Sequence, residues 1–295
     1  MLLLLVGLRE AFDHDGFAVV ENFSDAAELG RMRSRIAEVV ALNKNRSVGA
    51  VFRTDEGQAE AQAKKSQYFL DSAEKIHLFE EPGGGLNKIG HGLHLLDPVF
   101  EAYSFSDKVS RVLETLGYVD PRLPQSMYIF KSKHTGGAVT SHQDATFLAT
   151  SPRQTVVGLW LAIDDASADN GCLWARSGSH REPLRRKFVR RRDNVMEMDT
   201  RATPHPWEGR NIEYEDARRA GFQPIPAKAG TLVVISGTLD HLSFPNTSPF
   251  DRHTFQLHAI EGADNGISWD SSNWLQTKSG TFPSLRRRNH RAADL

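Results

Sequence analysis

The residues best suited to chemistry in this sequence are two histidines and an aspartate that could hold a metal ion. His142 and Asp144 lie two positions apart in a strand-like run, so both side chains would point to one face of a β-strand. His241 follows an apolar, strand-like run (230–237) about 100 residues further along the chain. Two imidazoles and one carboxylate form the facial triad that binds iron(II) and leaves three coordination positions open.

Arg252 indicates what would fill two of these open positions. It lies about ten residues after His241, where it enters the last strand-like run, 254–261. Its planar guanidinium suits the far carboxylate of 2-oxoglutarate better than a lysine would, while the 2-oxo acid end would bind the metal through two atoms. The combination predicts iron(II) as the cofactor, with 2-oxoglutarate and O2 as co-substrates.

Each of these signals is weak alone, so alternatives stay open. A His-x-Asp triplet arises readily by chance, and the chain holds a second His-x-acid triplet at His180-Arg181-Glu182. That triplet follows a turn (177–179) and leads into a basic segment, so we reject it as a metal pair. The same ligands could hold zinc or manganese in a cupin-type hydrolase or isomerase, which leaves Arg252 unexplained. A non-catalytic protein that binds iron or a 2-oxo acid also remains open.

The composition is that of a globular protein, with 295 residues, 39% hydrophobic and 25% charged. We expect a single domain over 1–295 that binds a small molecule. A net charge of -1 favours neither nucleic acid nor an anionic membrane as a partner. One cysteine, Cys172, excludes an internal disulfide and favours a reducing, cytoplasmic location. The apolar run 1–8 is too short to span a bilayer and lacks a basic leader, so we expect no stable membrane insertion.

Helical patterns dominate the first part of the chain, about 1–120. A short strand over 17–20 precedes a helix over about 25–42, which Ser24 is expected to cap. A polar stretch over 55–65 predicts a solvated helix, and a further helix begins at Ser106 or Asp107 and ends at Gly117. These helices would flank the part of the chain that carries the candidate metal ligands.

Short β-branched and aromatic runs replace the helical pattern in the following part, about 121–285. The runs cover 126–131, 139–147, 155–163, 171–175, 230–236 and 254–261. Their number and turn punctuation predict a mainly β fold with flanking helices, a cupin-like jelly roll. A long insertion, about 181–221, opens with a basic cluster and reads either as a solvated charged face or as a lid or binding loop.

From Phe17 to about Leu285 the chain resembles the phytanoyl-CoA dioxygenase family. The residues that carry this resemblance are Asp15-Gly16-Phe17, Asn87-Lys88-Ile89-Gly90-His91, Gln125-Ser126-Met127-Tyr128-Ile129-Phe130-Lys131, His142-Gln143-Asp144-Ala145, Gly171-Cys172-Leu173-Trp174, Gly178-Ser179-His180 and Asn273-Trp274-Leu275-Gln276. The resemblance implies a double-stranded β-helix that binds iron through the His-Asp-His set and 2-oxoglutarate through Arg252.

The resemblance also extends the predicted site. Lys88, Met127 and Trp160 fall where family members line the co-substrate pocket, although core packing accounts for Met127 and Trp160 equally well. His180 would then support the local conformation or contact a metal ligand, rather than bind the metal itself. Related iron halogenases carry a small residue at the position of Asp144, so the carboxylate favours hydroxylation coupled to conversion of 2-oxoglutarate to succinate and CO2. The substrate would be a small organic molecule, with an acyl-CoA as one candidate whose phosphates the basic cluster could meet.

Overall fold

Two facing β-sheets form the centre of the computed structural model, which describes residues 5–43, 49–55, 57–64 and 66–285. The helices are α1 (Leu8–Asp15), α2 (Ala26–Asn43), α3 (Gln58–Lys64), α4 (Ser66–Leu70), α5 (Leu93–Leu96), α6 (Pro98–Ser104), α7 (Asp107–Thr115) and α8 (Tyr214–Arg219). The strands are β1 (Phe17–Val20), β2 (Ile76–Glu80), β3 (Leu86–His91), β4 (Pro121–Lys131), β5 (Val139–His142), β6 (Thr150–Ser151), β7 (Val157–Ala162), β8 (Leu173–Arg176), β9 (Arg186–Arg190), β10 (Met196–Thr200), β11 (Phe222–Ile225), β12 (Leu232–Ser236), β13 (His241–Ser243), β14 (Arg252–Glu261) and β15 (Ser268–Trp269). Helices dominate before β4 and strands after it, as the sequence pattern predicts.

The larger sheet has seven strands in the order β1-β12-β7-β14-β4-β3-β2. Side chains of its central strands alternate between two faces, as the strand period of two requires. In β7, Val157, Leu159 and Leu161 pack with the helices in one hydrophobic core. Trp160 points the other way and belongs to a second core that includes residues of the smaller sheet. The inner face of the larger sheet is therefore the face that carries Trp160.

The smaller sheet has four strands in the order β11-β8-β13-β5, and its pairs are antiparallel. Its β13 lies between β8 and β5, so the strand that begins at His241 is a direct neighbour of the strand that ends at His142. Two facing antiparallel sheets of this kind form a double-stranded β-helix, or jelly roll. The fold class that the sequence predicts is confirmed.

The first long helix, α2, is capped by Asp25 rather than by Ser24. Asp25 Oδ1 accepts a hydrogen bond of 2.8 Å from the backbone N–H of Glu28. Ser24 Oγ instead accepts a hydrogen bond of 2.9 Å from Lys108 Nζ. A carboxylate also gains from the positive end of the helix, which a serine hydroxyl does not match. The prediction that Ser24 caps this helix is wrong.

The polar stretch over 55–65 is partly internal, so the prediction of a solvated helix is also wrong. It forms α3, which packs against β10. Gln58 and Gln62 lie one helical turn apart and are fully buried, and Gln58 Nε2 donates to Gln62 Oε1 at 3.2 Å. Buried amides that bond to each other look polar in the sequence although they face the interior.

The strand that carries the first metal-ligand candidate is shorter than predicted. β5 ends at His142, and a turn of 3-10 helix over Asp144–Thr146 replaces the strand expected up to Phe147. Gln143 keeps an extended backbone, with φ -106° and ψ 130°. Because Gln143 is extended, the side chains of His142 and Asp144 still point in the same direction.

The insertion over about 181–221 contains the hairpin of β9 and β10 and the short helix α8. Its basic cluster comprises Arg181, Arg185, Arg186, Lys187, Arg190, Arg191 and Arg192, and three of these seven, Arg185, Arg186 and Lys187, are buried. Arg185 Nε donates to Glu208 Oε2 at 2.6 Å. Lys187 forms a close ion pair with Asp270. The interpretation of the cluster as a solvated charged face is therefore wrong for these residues, because their charges are neutralised inside the protein.

The Leu-rich N-terminus enters the core where the structure describes it. Leu5 and Leu8 are buried and belong to the hydrophobic core beneath the helices, whereas residues 1–4 lie outside the described residues. Within the described ranges, no helix is both long and apolar enough to cross a membrane.

Candidate active site

His142, Asp144 and His241 come together around one point beside the smaller sheet. β5 and β13 pair so that His142 lies directly opposite His241, and the centroids of their rings are 4.3 Å apart. Asp144 Oδ1 lies 3.4 Å from His142 Nε2 and 3.6 Å from His241 Nε2. One ligand atom of each residue lies within 4.8 Å of the other two, so a single ion could contact all three.

Backbone carbonyls fix the orientation of both imidazole rings. His142 Nδ1 donates a hydrogen bond of 2.8 Å to the carbonyl of Thr140. His241 Nδ1 donates one of 3.1 Å to the carbonyl of Leu239, which also lies two residues upstream. Because each Nδ1 carries the hydrogen, each Nε2 keeps a free lone pair that faces Asp144.

The electrostatic environment leaves the aspartate charged and His241 neutral. Burial alone would raise the pKa of Asp144, but the neighbouring imidazoles of His241, His258 and His142 hold this pKa well below its usual range. Burial, with the neighbouring His142, lowers the pKa of His241 to about 4. A carboxylate and a neutral imidazole are the protonation states that bind a divalent cation.

Arg252 carries a buried positive charge with no counter-ion among the described residues. Only 2% of its surface is exposed, and burial lowers its pKa to about 10. Its Nη2 donates to the carbonyl of Gly171 at 2.8 Å and its Nη1 to Thr254 Oγ1 at 3.2 Å, while its Nε has no partner. A buried guanidinium without a carboxylate destabilises the fold, so this arrangement is typical of an anion-binding site.

Lys88 and Met127 lie on the adjacent strands β3 and β4 of the larger sheet, and Trp160 lies on β7, on the other side of β14. All three face the same interior as Arg252. Lys88 Nζ lies 3.5 Å from Met127 Sδ and 3.3 Å from the centroid of the Phe52 ring. Burial lowers the pKa of Lys88 to about 7. The Arg252 guanidinium lies 5.7 Å from the centroid of the Trp160 ring. Contact of these residues with a co-substrate stays a prediction.

One cavity of about 260 Å³ joins all of these groups. Its walls include every residue that the sequence singles out, namely His142, Asp144, His241, Arg252, Lys88, Met127 and Trp160. A further four aromatic residues, Phe52, Phe130, Phe147 and Trp274, form part of the remaining wall. The metal-ligand candidates and the unpaired arginine therefore share one chamber.

Sequence reasoning missed a second buried cation beside Arg252. Lys131 pairs directly with Arg252 across β4 and β14 and is also buried. Its Nζ donates to the carbonyls of Gly137 at 2.9 Å and Phe244 at 2.7 Å. Burial, with the nearby Arg252 charge, holds the pKa of Lys131 well below its usual range. The resemblance motif contained this lysine, but a lysine at the end of a strand usually lies in solvent.

Sequence reasoning also missed His258, which touches a metal-ligand candidate. His258 Nε2 lies 3.1 Å from Asp144 Oδ2, and Gln125 Nε2 lies 3.2 Å from His258 Nδ1. His258 follows Arg252 by six residues on the same strand, so both side chains point to one face. The separation from Arg252 by an even number of residues was the signal in the sequence that could have identified His258.

His180 lies away from the cavity. Its Nε2 is 3.2 Å from the carbonyl oxygen of Asp13, at the end of α1. This contact connects the turn after β8 to the N-terminal helix. The rejected triplet therefore contributes no ligand to the His-Asp-His cluster, and His180 contacts backbone instead.

A second group of potential metal ligands consists of Glu182, His205 and Asp240. Arginine side chains bond both of its carboxylates. Arg176 Nη2 donates to Glu182 Oε2 and to Asp240 Oδ2, each at 2.7 Å. Arg185 bonds the other oxygen of Asp240 and lies 3.0 Å from Glu182 Oε2. Because cations of the protein already neutralise these carboxylates, the group reads as an ion-pair network rather than a metal site.

Solved structures with the same architecture include proteins crystallised with iron or 2-oxoglutarate. The epimerase SnoN, solved with Fe3+, alpha ketoglutarate and nogalamycin RO, superposes with a TM-score of 0.62 over 97% of this chain and 100% of its own, at 15% identity. EctD from S. alaskensis, solved with bound Fe, gives a TM-score of 0.59 over 86% of this chain and 75% of its own, at 20% identity. At these identities the likeness establishes the class of fold, the double-stranded β-helix of such oxygenases.

Sequence comparison gives the family. The phytanoyl-CoA dioxygenase (PhyH) family model matches residues 12–254, so the chain belongs to the phytanoyl-CoA dioxygenase family. The chain is 38% identical to phytanoyl-CoA dioxygenase domain-containing protein 1 of Mus musculus, over 93% of this chain and 96% of the mouse protein. It is 41% identical to phytanoyl-CoA dioxygenase 1 of Oryza sativa subsp. japonica, over 90% and 92%. The chain is thus an enzyme, a 2-oxoglutarate-dependent dioxygenase, as the sequence predicts.

Proposed function

We propose that this enzyme binds iron(II) through His142, Asp144 and His241, anchors 2-oxoglutarate on Arg252, and hydroxylates a small organic substrate with release of succinate and CO2. The observation that carries the proposal is the buried Arg252 guanidinium, which has no counter-ion in the described chain and lines the same cavity as the three candidate ligands. A zinc or manganese hydrolase with the same ligands would have no use for this charge.

The candidate ligands suit iron(II) in donor type and in protonation. Two neutral imidazole nitrogens and one carboxylate are the donors that leave non-haem iron(II) open to a bidentate 2-oxo acid and to O2. Bound iron with these co-substrates supplies the oxidising chemistry for the substrate. The chain itself orients the imidazoles through the carbonyls of Thr140 and Leu239. It also places aromatic side chains, among them Phe147 and Trp274, in the wall of the reaction space, where they limit the access of water.

The charge of the chamber suits a dianion. Arg252, Lys131 and Lys88 are all buried along its wall, and within the described residues none of them forms an ion pair with a carboxylate. Arg252 offers a planar fork to the distal carboxylate of 2-oxoglutarate, while Lys88 lies two strands away on the same sheet, beside Met127. Binding of 2-oxoglutarate would supply the negative charge that these groups lack.

The size of the chamber favours a compact substrate or the end of a longer one. Its volume of about 260 Å³ lies below the roughly 300–1,000 Å³ of pockets that hold drug-sized ligands, and 2-oxoglutarate takes part of it. Part of the charge of the insertion is unavailable to the phosphates of a CoA thioester. Arg185 and Lys187 are internally paired, and the half-exposed Arg191 bonds Glu197. We therefore propose a small organic molecule as the primary substrate.

Anaerobic spectroscopy followed by a product assay tests the proposed function. Iron(II) and then 2-oxoglutarate are added without oxygen, and a visible metal-to-ligand charge-transfer band is expected. Admission of O2 with a metabolite library should then release succinate. Absence of the band would favour a zinc or manganese enzyme, and a band without succinate under any condition would favour a binding protein.

Variants connect this experiment to particular residues. His241→Ala should abolish the band, whereas His180→Ala, at a histidine outside the chamber, should leave it unchanged. Arg252→Lys keeps the charge but loses the planar fork, so we expect the dissociation constant for 2-oxoglutarate to rise roughly 30-fold, the equivalent of about 2 kcal/mol for a charge-assisted hydrogen bond. An unchanged affinity in Arg252→Lys would contradict the assignment of Arg252.

A further inference from the structure

The two carboxylate oxygens of Asp144 have different partners. Oδ1 faces the Nε2 atoms of His142 and His241, at 3.4 Å and 3.6 Å. Oδ2 lies on the opposite side, 3.1 Å from His258 Nε2. Only Oδ1 is therefore placed to join the imidazoles around a common ion, while Oδ2 is engaged by a side chain that contributes no atom to the cluster.

A buried amide sets the hydrogen position on His258. Gln125 and His258 are direct partners in the pairing of β4 and β14, and both are almost fully buried. Gln125 Nε2 can only donate, so His258 Nδ1 accepts this hydrogen bond of 3.2 Å and the ring carries its hydrogen on Nε2. That hydrogen points to Asp144 Oδ2. The three side chains form a chain of hydrogen bonds that runs from the larger sheet to the candidate metal ligands.

A glycine on the next strand keeps room for this contact. Gly158 of β7 pairs with His258, and it has no side chain on the face that looks at Asp144. A Cβ atom at this position would lie 3.2 Å from Asp144 Oδ2 and 3.6 Å from His258 Nε2. The first distance is shorter than ordinary van der Waals contact, so even alanine would press on the outer oxygen of Asp144.

We infer that His258 is a positioning residue that holds Asp144 as a one-oxygen ligand and so keeps a coordination position open for 2-oxoglutarate; this inference rests on the proposed function. A facial triad leaves three positions only if its carboxylate uses one oxygen. Without the bond to His258, Asp144 could rotate and present both oxygens to the ion. The second oxygen would then compete with the 2-oxo acid for its place.

The test measures 2-oxoglutarate affinity at saturating iron(II), so that any loss of iron affinity does not enter the result. The variants are His258→Phe, which removes the donor, His258→Gln, whose amide can replace Nε2–H, and Gly158→Ala, which leaves the donor in place and crowds Oδ2. The matched control is His94→Gln, because His94 is equally buried and bonded at both ring nitrogens but lies outside the cavity. The readouts are the anaerobic charge-transfer titration and the thermal midpoint.

The dissociation constant for 2-oxoglutarate should rise about tenfold in His258→Phe, at the lower end of effects seen for residues behind metal ligands. It should also rise in Gly158→Ala, and stay within about threefold of wild type in His258→Gln and His94→Gln. If His258→Phe and His258→Gln weaken binding equally, or neither does, the positioning role is wrong. Should His258→Phe fail to fold, Gly158→Ala decides, and an unchanged dissociation constant for 2-oxoglutarate in that variant would contradict the positioning role. A wild-type protein without the band would instead contradict the proposed function itself.

Discussion

Lys88 is an ammonium group placed where a lysine is poorly solvated. It is 4% exposed, its Nζ lies against the Phe52 ring, and within the described residues it forms no ion pair. Burial lowers its pKa to about 7, from an ordinary value of 10.5. Such a residue reduces the stability of the protein without bound ligand, and this loss of stability is common at sites that bind an anion.

Replacing Lys88 with methionine should therefore stabilise the empty protein in a pH-dependent way. Below pH 7 both folded and unfolded chains carry the charge, so the full cost of burying it is present. Between about pH 7 and 10 the unfolded chain binds more protons, so wild-type stability rises with pH through this residue. We expect Lys88→Met to raise the thermal midpoint most below pH 7 and to flatten this rise.

Thermal unfolding of the empty protein at pH 6 and pH 9 measures this effect. Lys228→Met is the control, because Lys228 is exposed and its removal touches no buried charge. A lower midpoint for Lys88→Met at pH 6 would show that the buried ammonium stabilises the fold, contrary to our account. The same variant should bind 2-oxoglutarate more weakly, which separates its effect on function from its effect on stability.

At the scale of elements, strand pairing decides which residues meet, and only part of this was accessible from the sequence. His142 and Asp144 were placed by their spacing of two, and the apolar run over 230–236 predicted β12, whereas β13, which begins with His241, was not among the predicted strands. The end of β5 was not predicted, because the 3-10 turn at Asp144 depends on contacts from distant residues. Ala145, for example, donates its backbone N–H to the carbonyl of Gly237, which lies in the connection between β12 and β13.

The burial of polar side chains that bond to other side chains was the hardest feature to predict from the sequence. Gln58, Arg185 and Lys187 are polar residues whose partners lie far along the chain or on a buried helix face. A sequence pattern assigns such residues to solvent because it cannot show the partner that compensates for burial. His258 was missed for the same reason, since its function depends on Asp144, which lies 114 residues earlier.

The ion-pair network around Asp240 supports the strand that begins with His241. Asp240 is fully buried, and its carboxylate accepts hydrogen bonds from Arg176 and Arg185. Its backbone N–H donates a hydrogen bond of 2.9 Å to Ser179 Oγ. Removing one partner of a buried pair leaves the other charge without compensation. Asp240→Asn should therefore destabilise the fold by about 3–5 kcal/mol and weaken iron binding by displacing β13.

Denaturant unfolding and iron titration of Asp240→Asn measure the two effects separately. Asp216→Asn is the matched control: Asp216 pairs with Arg219 on the exposed face of α8, so its loss should cost less than about 1 kcal/mol. If Asp240→Asn unfolds no more easily than Asp216→Asn, the network does not support this strand. Normal iron affinity in a destabilised Asp240→Asn would limit the network to a structural role.

At the scale of the whole molecule, the chamber is assembled from parts of the chain that lie far apart. The ligand candidates come from β5, the 3-10 turn after it and β13, and the buried cations come from β3, β4 and β14. The fold follows from the strand pattern and from the helices that cover the outer face of the larger sheet. The aromatic wall around Phe52 and Trp274 was not predicted, because it combines segments with no shared pattern.

X-ray diffraction at the iron absorption edge, from crystals grown anaerobically with iron(II) and 2-oxoglutarate, tests the central claim most directly. We expect one strong anomalous peak bounded by His142 Nε2, Asp144 Oδ1 and His241 Nε2, with the distal carboxylate of 2-oxoglutarate on Arg252. A peak among Glu182, His205 and Asp240 instead, or a 2-oxoglutarate molecule that leaves Arg252 without an anion, would contradict the account.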